Sequence, residues 1–111
     1  MESIEIRYEG PGVDIEGFGV TCAYFLVQPA GGVGKETAVH LSDGAARFLA
    51  RALGRELTKA FRDEMAKEGG ERLIRRYVAE RGHADAIVAL SQAALEDHPE
   101  ILTELKQLVA A

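Results

Sequence analysis

The spacing of apolar residues changes near residue 42 from a period of two to a period of about four. Before this point, Ile4, Ile6 and Tyr8 alternate with charged residues, as in a strand with one buried face and one wet face. After it, apolar residues recur at four-residue spacing, as on the buried stripe of a helix. They are Leu49, Leu53, Leu57, Phe61 and Met65. Strands that precede helices favour an antiparallel sheet with the helices packed on one face.

The residues up to 41 predict three to four strands. Gly10-Pro11-Gly12 supplies turn residues, and alternation resumes before Gly17, so we expect a hairpin with a bulge near Gly17. Phe18–Gln28 predicts the next strand. Its residues 20–27 are apolar at nearly every position, which is typical of a central strand covered on both faces. Helices can cover one face, and a partner is expected to cover the other.

A glycine-rich loop at Pro29–Gly34 and a third strand at Thr37–Leu41 complete this part of the chain. Ser42 or Asp43 then caps a helix. The helical segment 43–68 would be about 39 Å long at 1.5 Å per residue, so either Gly54 breaks it or it projects from the domain. Its predicted end is Gly69-Gly70. Further helices are predicted at 71–81, with Gly82 as its C-terminal cap, at 85–95 and at roughly 98–109.

The fold class that follows is α+β, in a single domain over residues 1–111. An antiparallel sheet of three to four strands (residues ~3–41) is followed by three to four helices (residues ~43–110) packed on one face. The chain has 111 residues, of which 47% are hydrophobic and 28% charged, and a single cysteine. We read no secretory signal at the start and no membrane-length apolar run, so we expect a soluble cytoplasmic protein without an internal disulfide.

Residues 30–37, Ala-Gly-Gly-Val-Gly-Lys-Glu-Thr, resemble the phosphate loop of ATPases. The standard pattern requires glycine where Pro29 stands and Ser or Thr where Glu36 stands. The variant form of partitioning ATPases carries a lysine at the position of Ala30. The following segment also looks like a strand, whereas phosphate binding needs the N-terminus of a helix. We therefore expect a structural turn and no nucleotide cofactor.

The histidines and the cysteine give no catalytic or metal signature. The spacings of His40, His83 and His98 match no ligand pattern, and all three are interpreted as structural. Cys22 lies in the most apolar strand, where a thiol is neutral and inert. The sequence therefore predicts no catalytic residue, no cofactor-binding residue and no metal ligand.

Charge is segregated along the chain. Residues 1–46 hold two basic and seven acidic residues (−5), residues 47–81 ten basic and six acidic (+4), and residues 82–111 one basic and five acidic (−4). Within the basic middle, Arg47, Arg51, Arg55 and Lys59 follow one another at i, i+4, and Arg62 continues the same side. Like charges at this spacing repel, so an acidic group is expected to neutralise them.

Three interpretations of this arginine stripe are open. It is a solvated face paired with nearby acids such as Glu56 and Asp63, or it binds a protein partner or second copy with an acidic surface, or it binds nucleic acid. The net charge of −5 and pI of about 5.2 disfavour nucleic acid without excluding it. A helix-turn-helix reader around residues 81–85 is rejected, because helix 85–95 contains no Lys or Arg to meet phosphates.

The sequence favours a small, non-enzymatic protein-interaction or regulatory module that forms a homodimer. The apolar strand 20–27 and the apolar helix 85–95 carry more hydrophobic surface than one small core needs. The first alternative is an anion or nucleic-acid binder that uses Arg47, Arg51, Arg55 and Arg62. The second is a small enzyme whose residues only the fold brings together. No membrane partner is expected.

Overall fold

The computed structural model describes residues 4–12 and 19–110 and has an α+β fold. The described strands and helices, in chain order, are β1 (Glu5–Pro11), β2 (Thr21–Gln28), β3 (Lys35–Leu41), α1 (Asp43–Leu53), α2 (Lys59–Arg81), β4 (Ile87–Leu90), α3 (Gln92–Asp97) and α4 (Pro99–Ala110). The predicted bulge near Gly17 lies outside the described residues. Within the described part of β1, a register shift falls between Tyr8 and Gly10.

The four strands form one mixed sheet in the order β1-β2-β3-β4. β1 and β3 both pair antiparallel with β2, as predicted, whereas β4 pairs parallel with β3. The expected sheet was wholly antiparallel, with every strand before the first helix. The difference arises because α1 and α2 carry the chain back to the end of the sheet where β3 began, the kind of crossover that parallel neighbours require.

The first predicted helix is two helices. Ser42 caps α1, its side chain accepting a hydrogen bond from the Ala45 amide. α1 ends at Gly54, whose φ of 64° places it in the left-handed region that glycine adopts without a steric penalty. Thr58 caps α2 in the same way as Ser42 caps α1, through the Phe61 amide. Gly54 therefore breaks the segment, which was one of the two expectations.

The predicted helix end at Gly69-Gly70 is wrong. α2 continues through both glycines to Arg81, where Gly82 ends it with a φ of 82°, as predicted for Gly82. A Cβ on Gly70 would lie 2.9 Å from two carbons of Val39, and one on Gly69 would lie 3.0 Å from a carbon of Leu90. The two glycines therefore lie where α2 packs closely against the sheet.

The predicted helix 85–95 is also wrong. Residues 87–90 form β4, in which exposed and buried residues alternate, and Ser91 caps the short α3. The apolar run Ile87–Leu90 is compatible with both a helix and a strand. It is a strand because its main-chain groups pair with those of β3. The last helix, predicted at roughly 98–109, is confirmed as α4.

The core lies between one face of the sheet and the helices. Buried hydrophobic residues of all four strands point to this face, since successive strand residues alternate between faces. They are Ile6, Ala23, Phe25, Val27, Val39, Leu41, Val88 and Leu90. Among the described residues, no helix is long and apolar enough to cross a bilayer.

Candidate functional site

The sheet face opposite the described helices is the first candidate site, and we call it the open face. Its residues alternate with those of the core along each strand. They are Glu5 and Arg7 of β1, Cys22, Tyr24 and Leu26 of β2, Glu36, Ala38 and His40 of β3, and Ile87 and Ala89 of β4. Tyr24 and Leu26 are half-buried, and Ile87 is 59% exposed.

One corner of the open face is covered by the end of β1. The Gly12 amide donates a hydrogen bond to the Cys22 carbonyl at 2.8 Å. A Cβ on Gly12 would lie 2.6 Å from the Cβ of Cys22 and 3.1 Å from the ring of Tyr24. Cys22 is consequently buried, and the accessible part of the face begins beyond it.

A row of three residues crosses the accessible part of the open face. Arg7 pairs in register with Leu26, and Leu26 pairs with Glu36. Neighbouring strands are about 4.8 Å apart, so Arg7 and Glu36 lie on the order of 10 Å from each other, on either side of an apolar side chain. Arg7 approaches Glu9 only to 3.9 Å, and Glu36 makes no ion pair within the described residues.

The structure divides the predicted arginine stripe. Arg47, Arg51 and Arg55 line one depression of about 600 Å³, together with Gln92, and we call this the arginine surface. Arg62 lies elsewhere, on α2, where its Nη2 is 2.9 Å from Asp43 Oδ1. The break at Gly54 separates the two parts, because residues 54–58 do not continue the helical spacing.

The members of the arginine surface differ in what they contact. The Nε of Arg47 is 2.8 Å from Asp43 Oδ2, and Arg55 donates to the carbonyl of Val109 at 2.8 Å. The side chain of Arg51 is exposed and makes no hydrogen bond or ion pair within residues 4–12 and 19–110. Asp43 thus neutralises one end of the surface, and Arg51 keeps its charge uncompensated.

A second depression, of about 690 Å³, lies between α2 and α4 and is lined by charged residues of both signs. Arg72 pairs with Glu68 at 2.9 Å and with Glu104 at 3.3 Å. Arg76 pairs with Glu100 and with the same Glu104. Because these charges compensate one another within the chain, we interpret the depression as a helix–helix contact.

The three histidines lie in different parts of the fold. His40 is on the open face, whereas the Nδ1 of His83 lies 3.2 Å from the carbonyl of Arg81 and the ring of His98 packs edge-on against Tyr77. Within the described ranges, no group of three His, Cys, Asp or Glu side chains could hold a metal ion.

The sequence pattern missed the most specific arrangement on the open face. Alternation in β1 predicted that Arg7 lies on a wet face, and the apolar run in β2 predicted that a second surface covers that strand. The row of Arg7, Leu26 and Glu36 depends on strand register, which no local pattern in this chain reveals.

Comparison with known proteins adds no family to this description. No protein-family model, no curated protein and no solved structure matches the chain. The fold and the open face therefore define the protein as an α+β domain with one uncovered sheet face among its described residues.

Proposed function

We propose that the protein is a protein-interaction module that forms a homodimer, with the open faces of two copies packed against each other. The observation that carries this proposal is the row of Arg7, Leu26 and Glu36, which has a positive charge on one side of an apolar residue and a negative charge on the other. Such a row is complementary to a second copy of itself after a half-turn.

The symmetry of the proposed dimer follows from the row. A two-fold axis parallel to β2 and passing between the two faces brings β1 of one copy over β3 of the other, and β2 over β2. Each Arg7 then faces Glu36 of the second copy, and the two Leu26 side chains meet at the axis. An interface of this kind is isologous, like the interfaces of most dimers.

The size of the overlap predicts a weak dimer. Three overlapping strands at about 4.8 Å spacing and about 26 Å length, the length of β2, cover roughly 370 Å² in projection. This is small against the roughly 800 Å² of accessible surface that each partner buries in a standard interface. We therefore expect association in the micromolar range.

The test exchanges the two charges. Arg7→Glu and Glu36→Arg should each weaken self-association at least tenfold, because each places like charges opposite each other twice in the dimer. An equimolar mixture of the two variants should associate as tightly as the unchanged protein, since every facing pair again has opposite charges. Sedimentation velocity from about 1 to about 200 μM covers the expected range.

Two exposed residues of α2 provide matched controls. Arg75→Glu and Glu80→Arg make the same changes in net charge on the helical side of the protein, and neither variant nor their mixture should differ from the unchanged protein. The proposal is wrong if the unchanged protein is monomeric throughout this range. It is equally wrong if the single open-face variants, shown by circular dichroism to be folded, associate as the unchanged protein does.

The arginine surface supports a second candidate function, the binding of an anion. The supporting observation is that Arg51 lines the depression with Arg47 and Arg55 and has no acidic partner in the described part of the chain. Guanidinium groups bind phosphate and carboxylate oxygens through paired hydrogen bonds. An anionic partner would supply the negative charge that Asp43 gives to only one end of this surface.

A further inference from the structure

A cavity of about 270 Å³ opens at one end of the sheet, away from both surfaces described above. We call it the end cavity. It lies where β1 and β3 begin and β2 ends, and the end of α2 and residues 82–84 close its other side. The loop that joins β2 to β3 forms part of its mouth.

The inner wall of the end cavity belongs to the core. Val27, Thr37 and Val78 line it and are 7%, 1% and 9% exposed. Val33 lies at the mouth and is 83% exposed, although burial of an aliphatic side chain away from water is favourable. The cavity thus offers an apolar interior and an apolar rim.

Thr37 brings a polar group to this apolar wall. It is almost fully buried, and its hydroxyl can both donate and accept a hydrogen bond. Hydroxyl groups in protein interiors nearly always have a hydrogen-bond partner. The cavity is the space from which a partner can reach this hydroxyl.

Lys35 brings a positive charge to the mouth. It lies two residues before Thr37 on the same face of β3, so the two Cα atoms are about 7 Å apart along the strand. Lys35 is exposed and has no acidic partner in the described ranges. His83 also lies at the mouth, 3.9 Å from Asp85, and the ammonium group of Lys35 is the cation that an anionic ligand in the cavity can reach.

We propose that the end cavity binds a small carboxylic acid with an apolar body and a second polar group at the far end. The carboxylate pairs with the ammonium group of Lys35 at the mouth, the apolar body packs against Val27 and Val78, and the inner polar group forms a hydrogen bond with Thr37. At about 30 Å³ per water in the liquid, the volume corresponds to on the order of nine water-sized groups. One ring with two substituents is of this size.

The probe that tests this site is 4-hydroxybenzoate, whose hydroxyl and carboxylate stand on opposite sides of one ring. Titration followed by amide NMR should shift the signals of Val27, Thr37 and Val78. Lys35→Met should weaken binding at least tenfold, while Lys106→Met, which removes an exposed lysine from α4, should leave it unchanged. 4-Hydroxybenzamide, which lacks the charge, should bind the unchanged protein as weakly as 4-hydroxybenzoate binds Lys35→Met.

A second variant tests the proposed hydrogen bond between the ligand and the hydroxyl of Thr37. Thr37→Val keeps the shape of the side chain and should weaken 4-hydroxybenzoate several-fold while leaving benzoate, which has no inner hydroxyl, unaffected. The proposal is overturned if millimolar 4-hydroxybenzoate shifts none of the three amide signals, or if Lys35→Met binds it as well as the unchanged protein does. It is also overturned if the shifts map to Arg47, Arg51 and Arg55, because the carboxylate is then bound at the arginine surface.

Discussion

Gly70 of α2 lies directly against Val39 of β3, so that a Cβ on Gly70 would be 2.9 Å from each of the two methyl carbons of Val39. Val39 is fully buried and pairs with both Ala23 and Val88 in the sheet, so it has little room to move. The absence of a side chain at residue 70 is therefore what allows the helix to rest on the sheet.

Gly70→Ala should lower the free energy of unfolding. Inserting a methyl group into a packed core costs about 1–3 kcal/mol, whereas alanine in a helix interior gains about 1 kcal/mol over glycine. We expect a net loss of about 1–2 kcal/mol, measured by urea denaturation. In a Val39→Ala background the methyl groups are gone, so the same substitution should cost less.

Gly44→Ala is the matched control in α1. A Cβ there would meet nothing within 4 Å, and its φ is not positive. It should leave the protein as stable as before or raise its stability by up to about 1 kcal/mol. A Gly70→Ala variant that is equally stabilised would show that the close approach to Val39 is not a constraint.

These two glycines also mark a limit of sequence reasoning. Adjacent glycines inside a helical pattern usually indicate an end, because glycine is a poor helix former. Here the contact of Gly70 with Val39 and of Gly69 with Leu90 outweighs that local preference. Val39 is 31 residues from Gly70 and Leu90 is 21 residues from Gly69 in the chain, so a short stretch of sequence around the glycines does not reveal these contacts.

Elements fixed by local signals were predictable. The two-residue alternation in β1, the Ser42 cap and the left-handed Gly82 act within a few residues, and the structure has each of them as expected. β4 was not predictable, because Ile87–Leu90 becomes a strand through hydrogen bonds to β3. The candidate site was not predictable either, because the register of β1, β2 and β3 is what places Arg7 and Glu36 in one row.

The two sides of the broken arginine stripe should respond differently to substitution. Arg62→Met removes a 2.9 Å ion pair with Asp43 from a side chain that is 26% exposed, so we expect a loss of about 1 kcal/mol in the free energy of unfolding. Arg51→Glu changes an exposed residue without a partner in the described part of the chain, and its effect should stay within about 0.5 kcal/mol.

Urea denaturation of both variants measures whether Arg62→Met loses more stability than Arg51→Glu. Binding of inorganic pyrophosphate tests the second candidate function, anion binding at the arginine surface. If the arginine surface binds anions, Arg51→Glu should weaken pyrophosphate binding more than tenfold, whereas Arg75→Glu should not. Binding to the unchanged protein should also weaken as salt is raised. Equal stability losses for Arg62→Met and Arg51→Glu would contradict the division of the stripe.

The alkaline limit of stability should depend on Tyr8. Burial raises the pKa of Tyr8 above its ordinary value of 10.0, and the negative charge of Asp63 raises it further. The ring packs 5.5 Å from that of Phe25. Above pH 10 the unfolded chain therefore loses the phenolic proton while the folded protein keeps it. Since the folded state then binds more protons, the free energy of unfolding falls as the pH rises.

The measurement is the free energy of unfolding from about pH 8 to about pH 11, compared between the unchanged protein and Tyr8→Phe so that other groups cancel. The variant should lose less stability over the upper part of this range. Asp63→Asn should reduce the loss in part, because it removes the second cause of the raised pKa and leaves the burial in place. Parallel curves for the unchanged protein and Tyr8→Phe would mean that the phenol ionises equally in the folded and unfolded states.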